Sequence, residues 1–126
     1  MIYGVGIDIE KIDRLKKALE RNEKAFLKYV FTPREISYAR KQEDMVSHLT
    51  AIFSAKEAVI KTFGTGWKGG VRLTDIEICH DLHGKPDVLL SGNLEKIATR
   101  CGVTRIFVSL SYEDTYAVAY ATALTI

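Results

Sequence analysis

A chain of 126 residues has room for one hydrophobic core and none for a second, so a single domain over residues 1–126 is expected. With 47% hydrophobic and 27% charged residues, the composition excludes disordered and low-complexity classes. A net charge of +2 is too small to mark a nucleic-acid binder, so any electrostatic steering must come from a local patch.

Ile2 to Ile9 is β-rich and nearly all apolar, as for a strand covered on both faces. The opening has neither a basic start nor a long apolar core, so no secretion signal is read there. Asp13 to Val30 gathers Leu15, Ala18, Leu19, Phe26, Tyr29 and Val30 on one helical face, with Asn22 as the point where it can break in two. Thr32-Pro33-Arg34-Glu35 marks a fresh helix start: Thr32 caps, Pro33 suits the first turn and Glu35 closes a capping box.

Met45 to Phe63 is the longest helical pattern, and its apolar belt is too wide for a surface helix, which predicts a central one. Gly64-Thr65-Gly66 ends it. Leu73 to Cys79 and Asp87 to Leu90 read as strands joined by a turn around Gly84. Asn93 to Cys101 is a short amphipathic helix stopped by Gly102. Ile106, Val108 and Leu110 alternate with Phe107 and Ser109, and Tyr116 to Leu124 returns as a partner strand. That last stretch, the most apolar, falls short of the ~20 residues of a spanning helix. Helices come early, strands late, with no βα alternation. The expected class is α+β, a largely antiparallel sheet packed with a long central helix.

Two anomalies carry chemistry. Asp8 is an acid inside an apolar strand, where a bare carboxylate is costly; it is a satisfied structural cap or part of a site. Glu10 lies two residues on and shares its strand face. Two carboxylates on one face repel unless a cation sits between them, and oxygen-only donors suit magnesium. Lys56, Glu57 and Lys61 interrupt the apolar helix. On an exposed helix, Glu57 and Lys61 at i and i+4 would be an ordinary ion pair. Here the charges are expected to converge on metal and phosphate.

Other features read more plainly. Gly64-Thr65-Gly66-Trp67-Lys68-Gly69 has dinucleotide-fingerprint letters but closes a helix instead of opening one, so it is a turn whose amides can approach a nucleotide. Cys79, His80 and His83 fit no standard zinc spacing, and His48 reads as structural. Cys79 and Cys101 read as small hydrophobes in a reducing compartment, so a cytoplasmic chain without a membrane partner is expected. Arg14, Lys17, Arg21, Lys24 and Lys28 recur at spacings of three and four. They form a solvated stripe or, lacking interspersed acids, a dock for an acidic partner.

The ordered set of Gly6-Ile7-Asp8-Ile9, Phe53-Ser54-Ala55-Lys56-Glu57-Ala58-Val59-Ile60-Lys61, Phe63-Gly64-Thr65-Gly66, Gly84-Lys85-Pro86 and Val108-Ser109-Leu110-Ser111 resembles the short 4′-phosphopantetheinyl transferases, the holo-acyl-carrier-protein synthase family. The resemblance implies that family's fold, a homotrimer with coenzyme A bound between neighbours, and transfer of phosphopantetheine to a serine of an apo acyl carrier protein, leaving adenosine 3′,5′-bisphosphate. It implies Asp8 and Glu57 as magnesium ligands and Lys61 on the phosphates. Glu57, or a water it orients, is the base. Gly64, Thr65, Gly66, Lys85 and Pro86 would lie near the nucleotide, and Arg14 would meet the carrier, with Lys17, Arg21 and Lys24 extending that face. Three positions depart from the pattern. Ile52 and Phe107 stand where many members have cationic or donor groups for the 3′-phosphate. Glu10 makes an Asp-x-Glu similar to the larger, two-repeat members, in which it supplies an extra metal ligand. The alternatives are another magnesium-dependent nucleotide transferase or hydrolase, and a non-catalytic coenzyme-A-binding or carrier-docking subunit of the same fold.

Overall fold

Ten main elements, four of the five helices in one run after the first strand, make up the computed structural model, which describes residues 1–64 and 68–126, the Lys68 side chain excepted. In chain order they are β1 (Ile2–Lys11), α1 (Ile12–Arg21), α2 (Glu23–Val30), α3 (Pro33–Arg40), α4 (Met45–Lys61), β2 (Ile76–His80), β3 (Pro86–Leu90), α5 (Gly92–Cys101), β4 (Val103–Tyr112) and β5 (Tyr116–Thr125). β1, β5 and β4 form an antiparallel sheet in that order, and β2 pairs with β3 in a separate two-stranded sheet. This is the α+β arrangement with a central helix that the sequence predicts.

α4 lies across the three-stranded sheet and packs on all of its strands. The sheet side of that contact is a row of alanines on the middle strand: Ala117, Ala119, Ala121 and Ala123 are all essentially inaccessible. Small side chains there let the helix sit close, while Leu49, Ile52, Val59 and Ile60 fill the space around it.

Local boundaries follow side-chain chemistry. The expected helix over 13–30 breaks at Asn22, whose Oδ1 accepts from the Ala25 amide at 3.2 Å and so starts α2 afresh. The Thr32 capping box forms: the Glu35 amide donates to Thr32 Oγ1 at 3.3 Å, and the Thr32 amide to Glu35 Oε1 at 2.9 Å. α4 stops at Lys61, not Phe63. β2 starts at Ile76, because Leu73–Asp75 closes a 3₁₀ turn.

The expectation that β1 is covered on both faces is corrected. Gly6 and Asp8 face α4, but Val5, Ile7 and Ile9 are 53%, 63% and 61% exposed. Phe107 on β4 and Val118 and Tyr120 on β5 share that open face, with Ile7 opposite Tyr120 and Ile9 opposite Val118. In the isolated chain that side of the sheet is bare, apolar along β1 and the middle of β5 and mixed on β4, where Arg105, Ser109 and Ser111 flank Phe107.

Candidate active site

Two glycines set the first half of the site. A Cβ on Gly4 or Gly6 would run into the backbone carbonyls of Thr62 and Ala58, so β1 can lie directly on the C-terminal half of α4 only because both lack side chains. Asp8, on the same strand face, is thereby brought to the helix turn carrying Glu57 and Lys61. The Ser54 hydroxyl donates to the Asp8 carbonyl at 2.8 Å and fixes the strand in place.

Asp8 is 9% exposed. Lys61 Nζ donates to its Oδ1 at 3.1 Å and to the Ile7 carbonyl at 2.9 Å. The i, i+4 ion pair between Glu57 and Lys61 does not form; Lys61 reaches across to the strand instead. The other oxygen, Asp8 Oδ2, is buried without a hydrogen-bond donor.

Around that oxygen the acids are held against their ordinary preference. Burial, a hydrogen-bonding approach to Asp8 and the charges of Asp8 and Glu57 push Glu10 up to about 8, with Arg14 pulling it partly back. Burial and then Asp8 push Glu57 up as well, against the pull of Lys61. Like charges this close disfavour one another's ionised forms, so the cluster carries negative charge that the fold alone does not offset.

A hard divalent cation would offset that charge, and an oxygen-only donor set suits magnesium. The residues fit such an ion on the strength of the donorless Asp8 oxygen and the two neighbouring carboxyls, Glu10 and Glu57, whose pKa values are raised beside it. As the side chains stand, no three His, Cys, Asp or Glu groups among the described residues close around one point; the acids meet in pairs about Asp8.

Lys56 takes no part, contrary to the expectation that all three charges of α4 converge. It points to the opposite side of the helix, where its Nζ lies 2.6 Å from Glu35 Oε1 and both side chains are fully buried. Val30 and Leu73 carbonyls accept from the same nitrogen at 2.7 and 3.2 Å, and the Ile78 amide donates to Glu35 Oε2 at 2.8 Å.

Lys85 and Pro86 lie elsewhere, on a cavity of about 590 Å³ between the β2–β3 turn and β4. Asp81 Oδ1 accepts from the His83 and Lys85 amides at 2.8 and 2.9 Å, and Gly84 adopts φ +83°, which a side chain would disfavour. Ser109 and Ser111 line the cavity from β4. Its remaining wall was not legible in the sequence: Tyr38 stacks on His80 with ring centroids 4.3 Å apart, and His48 leans on both. His48 Nε2 is buried and unpartnered, and burial with the nearby His80 lowers its pKa to about 4. Since β1 and β4 flank β5 on opposite sides, this cavity and the acid cluster stay apart within one chain.

Of the other expected residues, Gly64 directly follows the last turn of α4, while Thr65 and Gly66 lie outside the described residues. Ile52 is fully buried and turned into the core. Phe107 lies on the open sheet face, with the Arg105 guanidinium 4.9 Å from its ring centroid. The basic stripe is not continuous. Arg14 sits near Glu10, Lys17 pairs with Asp13 at 3.0 Å, and Arg21 stands at the α1–α2 elbow. Lys24 and Lys28 turn onto the far side of α2. At the elbow Arg21 borders an apolar hollow of about 460 Å³ with Phe26 and the largely exposed Tyr29.

Residues 4–121 match the model of the 4′-phosphopantetheinyl transferase superfamily. The chain is 41% identical over 119 residues to a holo-[acyl-carrier-protein] synthase of Geotalea daltonii, covering 94% of this chain and 95% of that one. Its fold superposes with a TM-score of 0.90 on the crystal structure of the Neisseria meningitidis holo-[acyl-carrier-protein] synthase, at 34% identity over 99% of this chain and 100% of that one. A Bacillus anthracis holo-(acyl-carrier-protein) synthase crystallised with CoA (3′,5′-ADP) aligns at 29% identity and a TM-score of 0.81, over 100% of this chain and 99% of that one. The chain belongs to the 4′-phosphopantetheinyl transferase superfamily, on its holo-acyl-carrier-protein synthase branch.

Proposed function

We propose that this transferase moves the 4′-phosphopantetheine group from coenzyme A to a serine of an apo acyl carrier protein, with magnesium, and releases adenosine 3′,5′-bisphosphate. The observation that carries this reading is the donorless Asp8 oxygen set between Glu10, Glu57 and Lys61. Asp8, Glu57 and Glu10 would hold the ion, which when bound neutralises the diphosphate and polarises the phosphorus under attack.

The chain's own groups supply the rest. The carrier serine oxygen attacks the β-phosphorus. The bond from that phosphorus to the bridging oxygen breaks, and the electron pair leaves with the adenosine bisphosphate. Glu57, whose carboxylate is made more basic by burial and the neighbouring Asp8, takes the serine proton directly or through a water it orients. Lys61, anchored on the Ile7 carbonyl, can donate to a phosphoryl oxygen as negative charge develops there.

The split between acid cluster and cavity supports a homotrimer with coenzyme A between neighbours. One subunit offers Asp8, Glu57, Lys61 and Gly64, and the next offers Lys85, Pro86 and Ser109. The bare face of Ile7, Ile9, Phe107, Val118 and Tyr120 is apolar enough to drive that assembly. Arg14 and Arg21, near the acid cluster and at the elbow, suit an acidic carrier, with Lys17 beside them. A cytoplasmic location belongs to the same reading; no helix among the described residues is long and apolar enough to cross a membrane.

Incubation with magnesium, coenzyme A and apo carrier should raise the carrier's mass by one phosphopantetheine group, with light scattering giving three chains per particle. An unmodified carrier with magnesium and coenzyme A in excess would contradict the reading.

A further inference from the structure

Three rings from three elements meet on one wall of the Lys85 cavity: Tyr38 of α3, His48 of α4 and His80 at the end of β2. Tyr38 lies parallel to His80, 5° between planes and 4.3 Å between centroids, so His80 is held by its face. The nitrogens of His80 lie on the ring edge, outside that contact. His48 is tilted 47° from His80, with the two centroids 5.4 Å apart. It is 9% exposed, it lines the cavity, and its Nε2 is buried without a hydrogen-bond partner. A buried polar atom left in that state is costly, and stacking alone has no use for it. A phenyl ring would fill the same space without the penalty.

Two imidazoles on one tetrahedral ion, with metal–nitrogen bonds of about 2.0–2.1 Å, stand with ring centres about 5 Å apart. His48 and His80 are at that separation, and their tilt lets the ring edges turn toward one point. A metal needs both rings neutral, and they are. Burial and the nearby His80 bring His48 down to about 4, and burial lowers His80 against the pull of Asp81. Among the described residues the cavity lining contains no carboxylate, and Asp81 turns its Oδ1 to the His83 and Lys85 amides. Neutral nitrogens without anionic oxygens suit zinc, cobalt or nickel and disfavour magnesium, for which the acid cluster has the better donors. With two protein donors the remaining positions are left to water, so the ion exchanges with solvent and does not hold the fold together. We propose that His48 and His80 form a reversible site for a divalent ion of the zinc class on the wall of this cavity, separate from the acid cluster.

The test titrates zinc into the metal-free wild type at pH 7 by calorimetry, with millimolar magnesium present to occupy the acid cluster. Histidine ring signals are followed by NMR in the same titration. The expected result is one zinc per chain with a micromolar Kd. The ring signals of His48 and His80 should move together, while those of His83 stay in place. H48Q and H80Q should each weaken zinc binding about tenfold or more, and E57Q should change it by less than about twofold. H48Q alters a buried wall; if it melts early, H80Q, whose ring is only half-buried, and the wild-type spectra decide the matter. Absence of zinc binding, or bound zinc that leaves the His48 ring signals unmoved, would overturn the proposal. Zinc binding that survives H80Q and is lost in E57Q would overturn it too, by placing the ion among the acids. So would binding that is lost in H83Q and kept in H48Q, which would move the ion to the β2–β3 turn.

Discussion

Lys56 and Glu57 are neighbours in sequence and opposites in environment. Lys56 lies in a fully buried ion pair in which Glu35, two carbonyls and an amide satisfy every charge. Glu57 lies a step round the same helix among acids that repel, beside an oxygen with no donor at all. The first arrangement ties the end of α2, α3, α4 and β2 together and leaves nothing to offer a ligand. The second is tolerable to the fold only while protons, Lys61 and Arg14 offset it. A charge that is fully answered is structure, and one that is left unanswered is a site.

That contrast can be broken from either end. Replacing Glu57 by Gln should lower the transfer rate by about 10²–10⁴, the range for a lost general base, with the far-UV circular dichroism unchanged. Replacing Lys56 by Met leaves Glu35 buried and unpaired and should cost about 3–5 kcal/mol of stability. A thermal midpoint lower by ten degrees or more is the readout, and adding Glu35→Leu should recover a good part of it. If the Lys56 variant melted like the wild type, the pair would not be what joins those elements.

Recognition of the 3′-phosphate comes next in size. Lys56 is sealed in the core and Ile52 faces inward, which leaves Arg105, laid on Phe107, as an exposed cation on the open face of β4. The preference for coenzyme A over its 3′-dephospho form should not exceed one charged contact, ~1.5–3 kcal/mol or about ten- to a hundredfold. Arg105→Ala should remove most of it. A larger preference, untouched by that substitution, would place the contact on another cation.

His48 gives a smaller effect with a definite sign. Its folded pKa, about 4, lies below the ordinary value for histidine, so protonation favours the unfolded chain. The contribution is fully present above about pH 6.5 and is lost as pH falls toward 4, amounting to about 1–3 kcal/mol. His80, which faces His48 across the stack, is shifted the same way by burial, while Asp81 opposes it. Tyr38 is the third ring of that cluster. His48→Phe should flatten the acid limb of the stability curve between pH 6.5 and 4, and an unchanged limb would mean the ring is solvated. Mildest of all, Glu10→Ala should raise the half-saturating magnesium concentration severalfold and leave kcat at saturating magnesium nearly unchanged. An unmoved magnesium titration would make Glu10 a bystander.

The sequence was informative where a residue type contradicted its local pattern. Asp8 in an apolar strand and Glu57 and Lys61 in an apolar helix announced the acid cluster. Thr32 to Glu35 announced a helix start, because capping is a local matter of a few residues. Other features depend on where distant segments meet. The bare sheet face looked like a doubly covered strand, since apolar residues facing a core and those awaiting a partner have the same letters. Tyr38, His48 and His80 come from three elements and form one wall only in the fold. Lys56 looked like its neighbour Glu57 until Glu35, far away in sequence, came within 2.6 Å of it.

The most direct test of this contrast is the thermal midpoint of metal-free Glu57→Gln at pH 8.5. A carboxyl whose pKa is raised by folding is destabilising when ionised, so removing its charge should leave the midpoint equal to that of the wild type or a few degrees above it. With magnesium restored, transfer by the same protein should fall by about 10²–10⁴ relative to wild type. A midpoint many degrees below wild type would show that Glu57, like Lys56, is there to hold the protein together, and the acid cluster would no longer stand apart as a site.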